Sequence, residues 1–165
     1  MGAWLTEGDA RDFIDEATGY PVALRRGPAG AWCGYIGVPT DHALHGKGYS
    51  HKISPPEGWA EREGSIDDVG VMNVFCADAD EIKRGIVPVD LCVRCHGGLT
   101  YAGKGWWSGD DRASWWFGFD CAHSGDLSPK YPIHGGEVYR DVDYVADAAR
   151  RGAADLAVLA KAEDR

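Results

Sequence analysis

The most regular hydrophobic pattern in the chain lies near its C-terminus. From Asp141 to Lys161 apolar residues recur every three or four positions, the spacing that places them on one face of an α-helix. These positions are Val142, Val145, Ala149, Ala153, Leu156 and Leu159. Asp141 precedes the first of them and suits the N-terminal cap of a helix. The pattern therefore predicts a long C-terminal helix over residues 141–161.

Shorter apolar runs elsewhere in the chain predict strands. The predicted strands cover residues 20–24, 31–38, 69–75, 86–93 and 114–119. The first two flank a Gly-Pro-Ala-Gly turn and form a predicted β-hairpin. Residues 6–17 predict a short amphipathic helix, and residues 77–84 predict a polar turn or short helix. The expected fold is α+β: a mostly antiparallel sheet, a short N-terminal helix, and the long C-terminal helix packed on one face.

Between residues 39 and 64 neither the helical nor the strand period is sustained. A connection of this length predicts a long irregular loop that serves as a lid or a contact surface. The chain has 165 residues, 44% of them apolar, and seven tryptophans. These numbers suit a single domain over residues 1–165 with a substantial core.

Charge and cysteine content narrow the class of protein. The net charge of −9 argues against a surface that binds nucleic-acid phosphates directly. No apolar run reaches the ~18 residues of a membrane span, so we expect no membrane partner. Five cysteines without an export segment suit reduced thiols, and we expect a cytoplasmic protein. A small-molecule ligand or another protein is the expected partner.

The aromatic strand at residues 114–119 leads into a cluster of reactive side chains. Our candidate catalytic residues are His96, Asp120, Cys121 and His123. His96, Asp120 and His123 would form an open metal site, since two imidazoles and a carboxylate leave a coordination position for water. Alternatively, Cys121 would act as a thiolate nucleophile, with a histidine as base and Asp120 or Asp126 as orienter. The choice between metal and thiol chemistry stays open.

Cys92, Cys95 and His96 form a Cys-x-x-Cys-His motif, the form of a c-type haem attachment site. The lack of an export segment argues against haem. Zinc is the other cofactor considered, because Cys92 and Cys95 together with Cys121 and His123 would supply four ligands. The simplest alternative is that both cysteines pack as small apolar residues.

Three sequence blocks occur together: AWCGYIGVP at 31–39, HGGLTY at 96–101 and WFGFDCAHSGD at 116–126. They resemble a family of small bacteriophage and prophage proteins, and the similarity spans about residues 20–126. The resemblance implies a phage-type protein in the cytoplasm of the infected or lysogenic bacterial host. It further implies that any site uses Cys33 with the four candidate catalytic residues. The family brings no assigned activity with it.

Two functions follow as hypotheses. The first is a small hydrolase-like protein, in a metal-dependent or a thiol-dependent form. The second is a non-catalytic counter-defence or host-takeover protein that sequesters a nucleotide-like ligand or blocks a protein partner. The expected ligand-binding residues are Cys33, His42, His45, Gly97, Gly98, Trp116 and Asp126.

Overall fold

The computed structural model describes residues 2–59, 64–107, 115–133 and 135–164. Its strands are β1 (Ala10–Ile14), β2 (Pro21–Arg26), β3 (Trp32–Val38), β4 (Lys52–Ser54), β5 (Val87–Pro88), β6 (Tyr101–Gly103), β7 (Trp115–Asp120) and β8 (Glu163–Asp164). Its helices are α1 (Ile66–Val69), α2 (Val71–Cys76), α3 (Ala79–Lys83), α4 (Val89–Cys92) and α5 (Val142–Val158), with 3-10 turns at Ala3–Leu5 and Leu159–Lys161.

The main sheet has five strands in the order β1-β2-β3-β7-β6, and neighbouring strands are antiparallel. A second sheet has the order β5-β4-β8. The α+β class is confirmed, with a mostly antiparallel sheet, a short helical turn at the N-terminus and a long helix at the C-terminus. Asp141 caps α5 as expected, because its carboxylate accepts from the Tyr144 backbone N–H. No helix within the described ranges is long and apolar enough to cross a bilayer.

The core lies between the main sheet and α5. Alternation along β3 and β7 places their buried side chains, such as Ile36 and Phe117, on the inner face of the sheet. Helix α5 packs on this face through its small and branched residues. Gly152 allows close approach, because a Cβ there would lie 2.7 Å from Cδ1 of Ile36. The C-terminal helix thereby covers one face of the sheet, as its pattern predicts.

The helix predicted over residues 6–17 is wrong. Ala10–Ile14 forms edge strand β1, which pairs with β2, and the N-terminal helical element is the preceding turn at Ala3–Leu5. The cross-strand ion pair between Arg25 and Asp12, at 2.5 Å, links the two strands. Too few apolar residues occur in this segment for its period to decide between helix and strand.

Two predicted strands are also helical, wholly or in part. Residues 69–75 belong to α1 and α2, which meet at Gly70, and a Ser65–Asp68 capping box starts α1. Of residues 86–93 only Val87–Pro88 is a strand, and α4 follows at once.

The remaining predicted segments are close to expectation. The hairpin, the strand ending at Phe119 and the short helix near residues 77–84 all occur, as β2–β3, β7 and α3. The predicted loop at 39–64 contains the short strand β4. Residues 60–63 of that loop and Ser114 of the predicted strand lie outside the described residues.

Candidate functional site

Three separate segments of the chain meet at one polar cluster. The turn after α4 carries His96, and the loop that follows β7 carries His123 and Asp126. The third segment supplies Arg140, just before α5, and Tyr144 in the first turn of that helix. The cluster therefore forms only where the start of α5 lies beside the loop after β7.

Asp126 is buried at the centre of this cluster. Its Oδ2 lies 2.6 Å from Nε2 of His96, and its Oδ1 accepts from Nε of Arg140 at 3.0 Å. The backbone N–H of His123 also donates to Oδ2, at 3.1 Å. Burial alone would raise the pKa of Asp126, but the hydrogen bonds of His123, His96 and Arg140 hold that pKa far below its ordinary value. Asp126 is therefore an ionised carboxylate.

The charge on Asp126 sets the tautomer of His96. An ionised carboxylate only accepts, so Nε2 of His96 carries the proton that it shares with Asp126. Nδ1 of His96 lies 2.8 Å from the Tyr144 hydroxyl, which donates to it when the imidazole is neutral. Both ring nitrogens are thus engaged, and the orientation of the imidazole is fixed from two sides.

His123 completes the cluster on its solvent side. Its Nδ1 lies 3.6 Å from Oδ2 of Asp126 and 3.9 Å from Oδ1 of Asp120. That nitrogen is buried and has no hydrogen-bond partner among the residues the structure describes. The neighbouring Asp126 raises the pKa of His123, against the opposing effect of burial. Donor atoms of His96, His123 and Asp126 all lie within 4.8 Å of one another.

Gly97 and Gly98 shape the turn that presents His96. Both have positive φ, +68° and +81°, which favours glycine. A Cβ on Gly97 would lie 2.2 Å from Cε1 of His123. A Cβ on Gly98 would lie 2.1 Å from the carbonyl oxygen of Val69 at the end of α1. These glycines thus let His123 and α1 approach the turn closely.

Asp120 and Cys121 lie on opposite faces of the sheet. Asp120 ends β7 on the outer face and is half-exposed; its Oδ1 accepts from the Ala122 backbone N–H at 3.0 Å. Cys121 is only 1% exposed and belongs to the core, and burial raises the pKa of its thiol. Of the predicted catalytic set, the structure brings together His96 and His123, with Asp120 beside them. Cys121 is buried in the core beside the cluster, where the charges of Asp126 and Asp120 add to the effect of burial in raising the pKa of its thiol.

The other predicted ligand residues are placed as follows. Cys33 pairs with Asp120 across β3 and β7, and burial raises the pKa of its thiol. His42 is buried, with Nε2 2.8 Å from the Leu156 carbonyl oxygen, so it joins the 39–64 loop to α5. The ring of His45 lies 6.1 Å from that of Trp115. Residues 42 and 45 are thus engaged away from the cluster.

Trp116 is buried on the outer face of the sheet. It packs there with Tyr35, Tyr101 and Trp107, in a small apolar cluster separate from the main core. The thiols of Cys92 and Cys95 are buried in the main core. Their placement matches the simplest expectation for these two cysteines, packing as small apolar residues.

Sequence reasoning missed Arg140 and Tyr144. Their i, i+4 spacing at the start of a helix was visible, and the guanidinium carbon of Arg140 lies 4.8 Å from the Tyr144 ring centre. Nothing local linked either residue to Asp126 or His96. The link depends on how α5 packs against the loop after β7.

This arrangement offers two kinds of chemistry. Two imidazoles and an ionised carboxylate are a ligand set for a divalent transition metal, and the Asp126–His96–Tyr144 series is suited to proton transfer. Comparison with known family models, with curated proteins and with solved structures finds no match to the chain.

Proposed function

We propose that His96, His123 and Asp126 bind a divalent transition metal ion of the zinc class, and that the chain is a small metal-dependent hydrolase. The carrying observation is the convergence of their donor atoms within 4.8 Å. Zinc sites with three protein ligands are typical of catalysis, because the fourth position is left for water or substrate. A bound ion would supply an activated water there.

Two of the three donor–donor distances can be compared with those that such an ion requires, and the third, between the two imidazoles, is at most 4.8 Å. Tetrahedral zinc with ligands near 2.1 Å places donor atoms about 3.4 Å apart. The 3.6 Å between His123 Nδ1 and Asp126 Oδ2 is already close to this value. The 2.6 Å between His96 Nε2 and Asp126 Oδ2 must widen by about 0.8 Å. An ion would thus replace the proton shared by His96 and Asp126, and binding should release it.

Neighbouring residues support the ligands in the manner expected around a metal. Tyr144 fixes the His96 ring, and Arg140 fixes Asp126 through the oxygen that faces away from His96. Asp120 lies on the solvent side of His123 and would accept a proton from a reacting water. Arg140 would also place a positive charge beside the anion that develops during hydrolysis. Cys121 serves as a core residue in this proposal.

Metal analysis of the purified protein tests the proposal. Protein stripped with a chelator is titrated with Zn²⁺, alongside His96→Ala, His123→Ala and the control His45→Ala. We expect one ion per chain in the wild type and in the control, and loss of tight binding in the other two variants. Hydrolysis of activated esters and phosphodiesters is then compared with and without Zn²⁺.

Two results would contradict the metal site: no stoichiometric ion in the wild type, or undiminished binding by His123→Ala. Iodoacetamide provides the complementary measurement. A metal-free protein in which Cys121 is alkylated rapidly in the native state would favour the thiol form instead. We expect Cys121 to resist alkylation, because its thiol is buried.

A binding role is the second candidate function, and exposed apolar side chains on α2 favour it. Here the chain would block a protein partner; sequestration of a nucleotide-like ligand is the other form of this proposal. The family resemblance supports a phage-type protein that acts in the cytoplasm of its host, in counter-defence or host takeover. Native mass spectrometry of protein expressed in that host would reveal a co-purifying partner or ligand.

A further inference from the structure

Helices α1 and α2 expose an unusual amount of apolar surface. Met72 is 67% exposed and Phe75 is 79% exposed. The apolar surface consists of Ile66, Val71, Met72, Val74 and Phe75, and we refer to it as the α2 surface. Apolar side chains scattered singly on a surface are common, but several within ten residues mark an interaction site.

Acidic residues outnumber basic ones around the α2 surface. Residues 64–82 contain five acidic residues and no lysine or arginine, and Lys83 and Arg84 follow. Asp68, Asp80 and Glu81 each pair with a basic side chain, which leaves the charges of Asp67 and Asp78 for a partner. Asp67, Asp78 and Asp80 are exposed beside the apolar side chains. A second copy of this chain, with net charge −9, would be repelled from such a rim. Charge complementarity therefore selects a basic partner.

The α2 surface is also held in a fixed conformation. The Asn73 side chain donates to the carbonyl oxygens of Val69 and Leu99, at 2.8 and 3.2 Å. The backbone N–H of Cys95 donates to the carbonyl oxygen of Asp68 at 2.8 Å. These bonds tie two short helices to the core, so little ordering remains to oppose binding.

We propose that the α2 surface docks an amphipathic segment of another protein, with apolar anchors flanked by lysines or arginines. This inference rests on the binding role described above and specifies its partner; it does not require that a metal ion be bound. The anchors would pack against Met72 and Phe75, where the unbranched methionine adapts to their shape. The acidic rim would speed association and make it sensitive to salt.

A pair of labelled peptides tests this inference. One alternates leucine and lysine as an amphipathic helix of about 14 residues, roughly four turns, and the other replaces each lysine by glutamate. Fluorescence anisotropy should detect binding of the lysine peptide only. The Met72→Ser/Phe75→Ser variant should bind it at least about tenfold more weakly. The control Ile133→Ser changes a residue that is also exposed, away from α2, and should bind within about twofold of the wild type.

Two further measurements test the contribution of the acidic residues and the location of the binding site. Asp67→Asn/Asp80→Asn should weaken binding and reduce its dependence on salt. An environment-sensitive dye on Cys76, the exposed cysteine at the end of α2, should respond to the lysine peptide. Thermal melting confirms that each variant is folded.

Three results would overturn the inference. The first is equal binding of the lysine and glutamate peptides, and the second is equal binding by the wild type and Met72→Ser/Phe75→Ser. The third is a wild-type dimer that Phe75→Ser dissolves, which would assign the surface to a second copy. Loss of zinc binding in His123→Ala with intact peptide binding separates this inference from the proposed metal site.

Discussion

Replacing Gly97 by alanine tests whether the turn after α4 positions His123. At φ +68° an alanine costs about 1–2 kcal/mol in backbone strain. The added Cβ would also lie 2.2 Å from Cε1 of His123, whereas ordinary contact begins at 3.4 Å, so the ring must move by about 1.2 Å. A displacement of that size removes Nδ1 of His123 from the ligand set. We expect a loss of about 1–2 kcal/mol in the free energy of unfolding. Zn²⁺ affinity should fall at least about tenfold, or about 1.4 kcal/mol.

Gly46→Ala is the matched control. Gly46 has φ +80°, and a Cβ there would meet nothing within 4 Å, so this variant incurs backbone strain without a steric contact. Urea unfolding measures the loss of stability from backbone strain, which both variants share. Zn²⁺ titration against a competing chelator measures the difference in their affinity for the ion. If folded Gly97→Ala binds Zn²⁺ as tightly as Gly46→Ala, the reasoning fails, because His123 is then not a ligand held by this contact.

Three further predictions concern buried polar residues outside the cluster. Burial raises the pKa of Asp90 to about 6, from 3.8, and its Oδ1 has no hydrogen-bond partner in the described part of the chain. The carboxylate therefore destabilises the fold by up to about 3 kcal/mol above pH 6 and by nothing below pH 3.8. Asp90→Asn should raise the unfolding free energy at pH 8 and not at pH 3.5, and equal effects at both pH values in urea unfolding would contradict this. Asp155→Ala should lower the unfolding free energy by about 3–5 kcal/mol, because buried Asp155 accepts from both the backbone and the guanidinium of Arg94; a thermal melt close to the wild type would disprove it. His42→Ala should lower the unfolding free energy by about 1–3 kcal/mol, because the bond to the Leu156 carbonyl is lost, and should leave Zn²⁺ affinity unchanged. An unchanged thermal melt or a weakened Zn²⁺ titration would contradict this.

The fold was predictable wherever a local pattern was long. Helix α5 carries its apolar period over 17 residues, and the β2–β3 hairpin has two apolar runs around a turn. The segments at 6–17 and 69–75 are shorter, and contacts distant in sequence decide their conformation. Strand β1 forms because β2 offers an edge, and α2 is supported by the bond of Asn73 to Leu99. Such contacts are not visible in the spacing of apolar residues along a short segment.

The candidate site was predictable in its residue types but not in its grouping. His96, His123 and Asp126 were all named from the sequence, yet the metal site predicted there grouped Asp120, and not Asp126, with the two histidines. Alternation along β7 separates Asp120 from Cys121, and the turn that follows brings Asp126 back beneath His96. The length of that turn is visible in the sequence, but its direction is not. Arg140 joins the cluster through the packing of α5, which also depends on the whole fold.

The close approach of Gly98 to α1 connects the proposed metal site with the α2 surface. The Val69 carbonyl lies against the turn that carries His96, and helix α2 begins two residues further along the chain. A partner that displaces α1 and α2 would therefore displace that turn, and with it the donor atoms of His96. Thermodynamic linkage makes such an effect reciprocal: the factor by which the partner changes ion affinity equals the factor by which the ion changes partner affinity. The concentration of free metal ion in the cell would then set how tightly the partner is held.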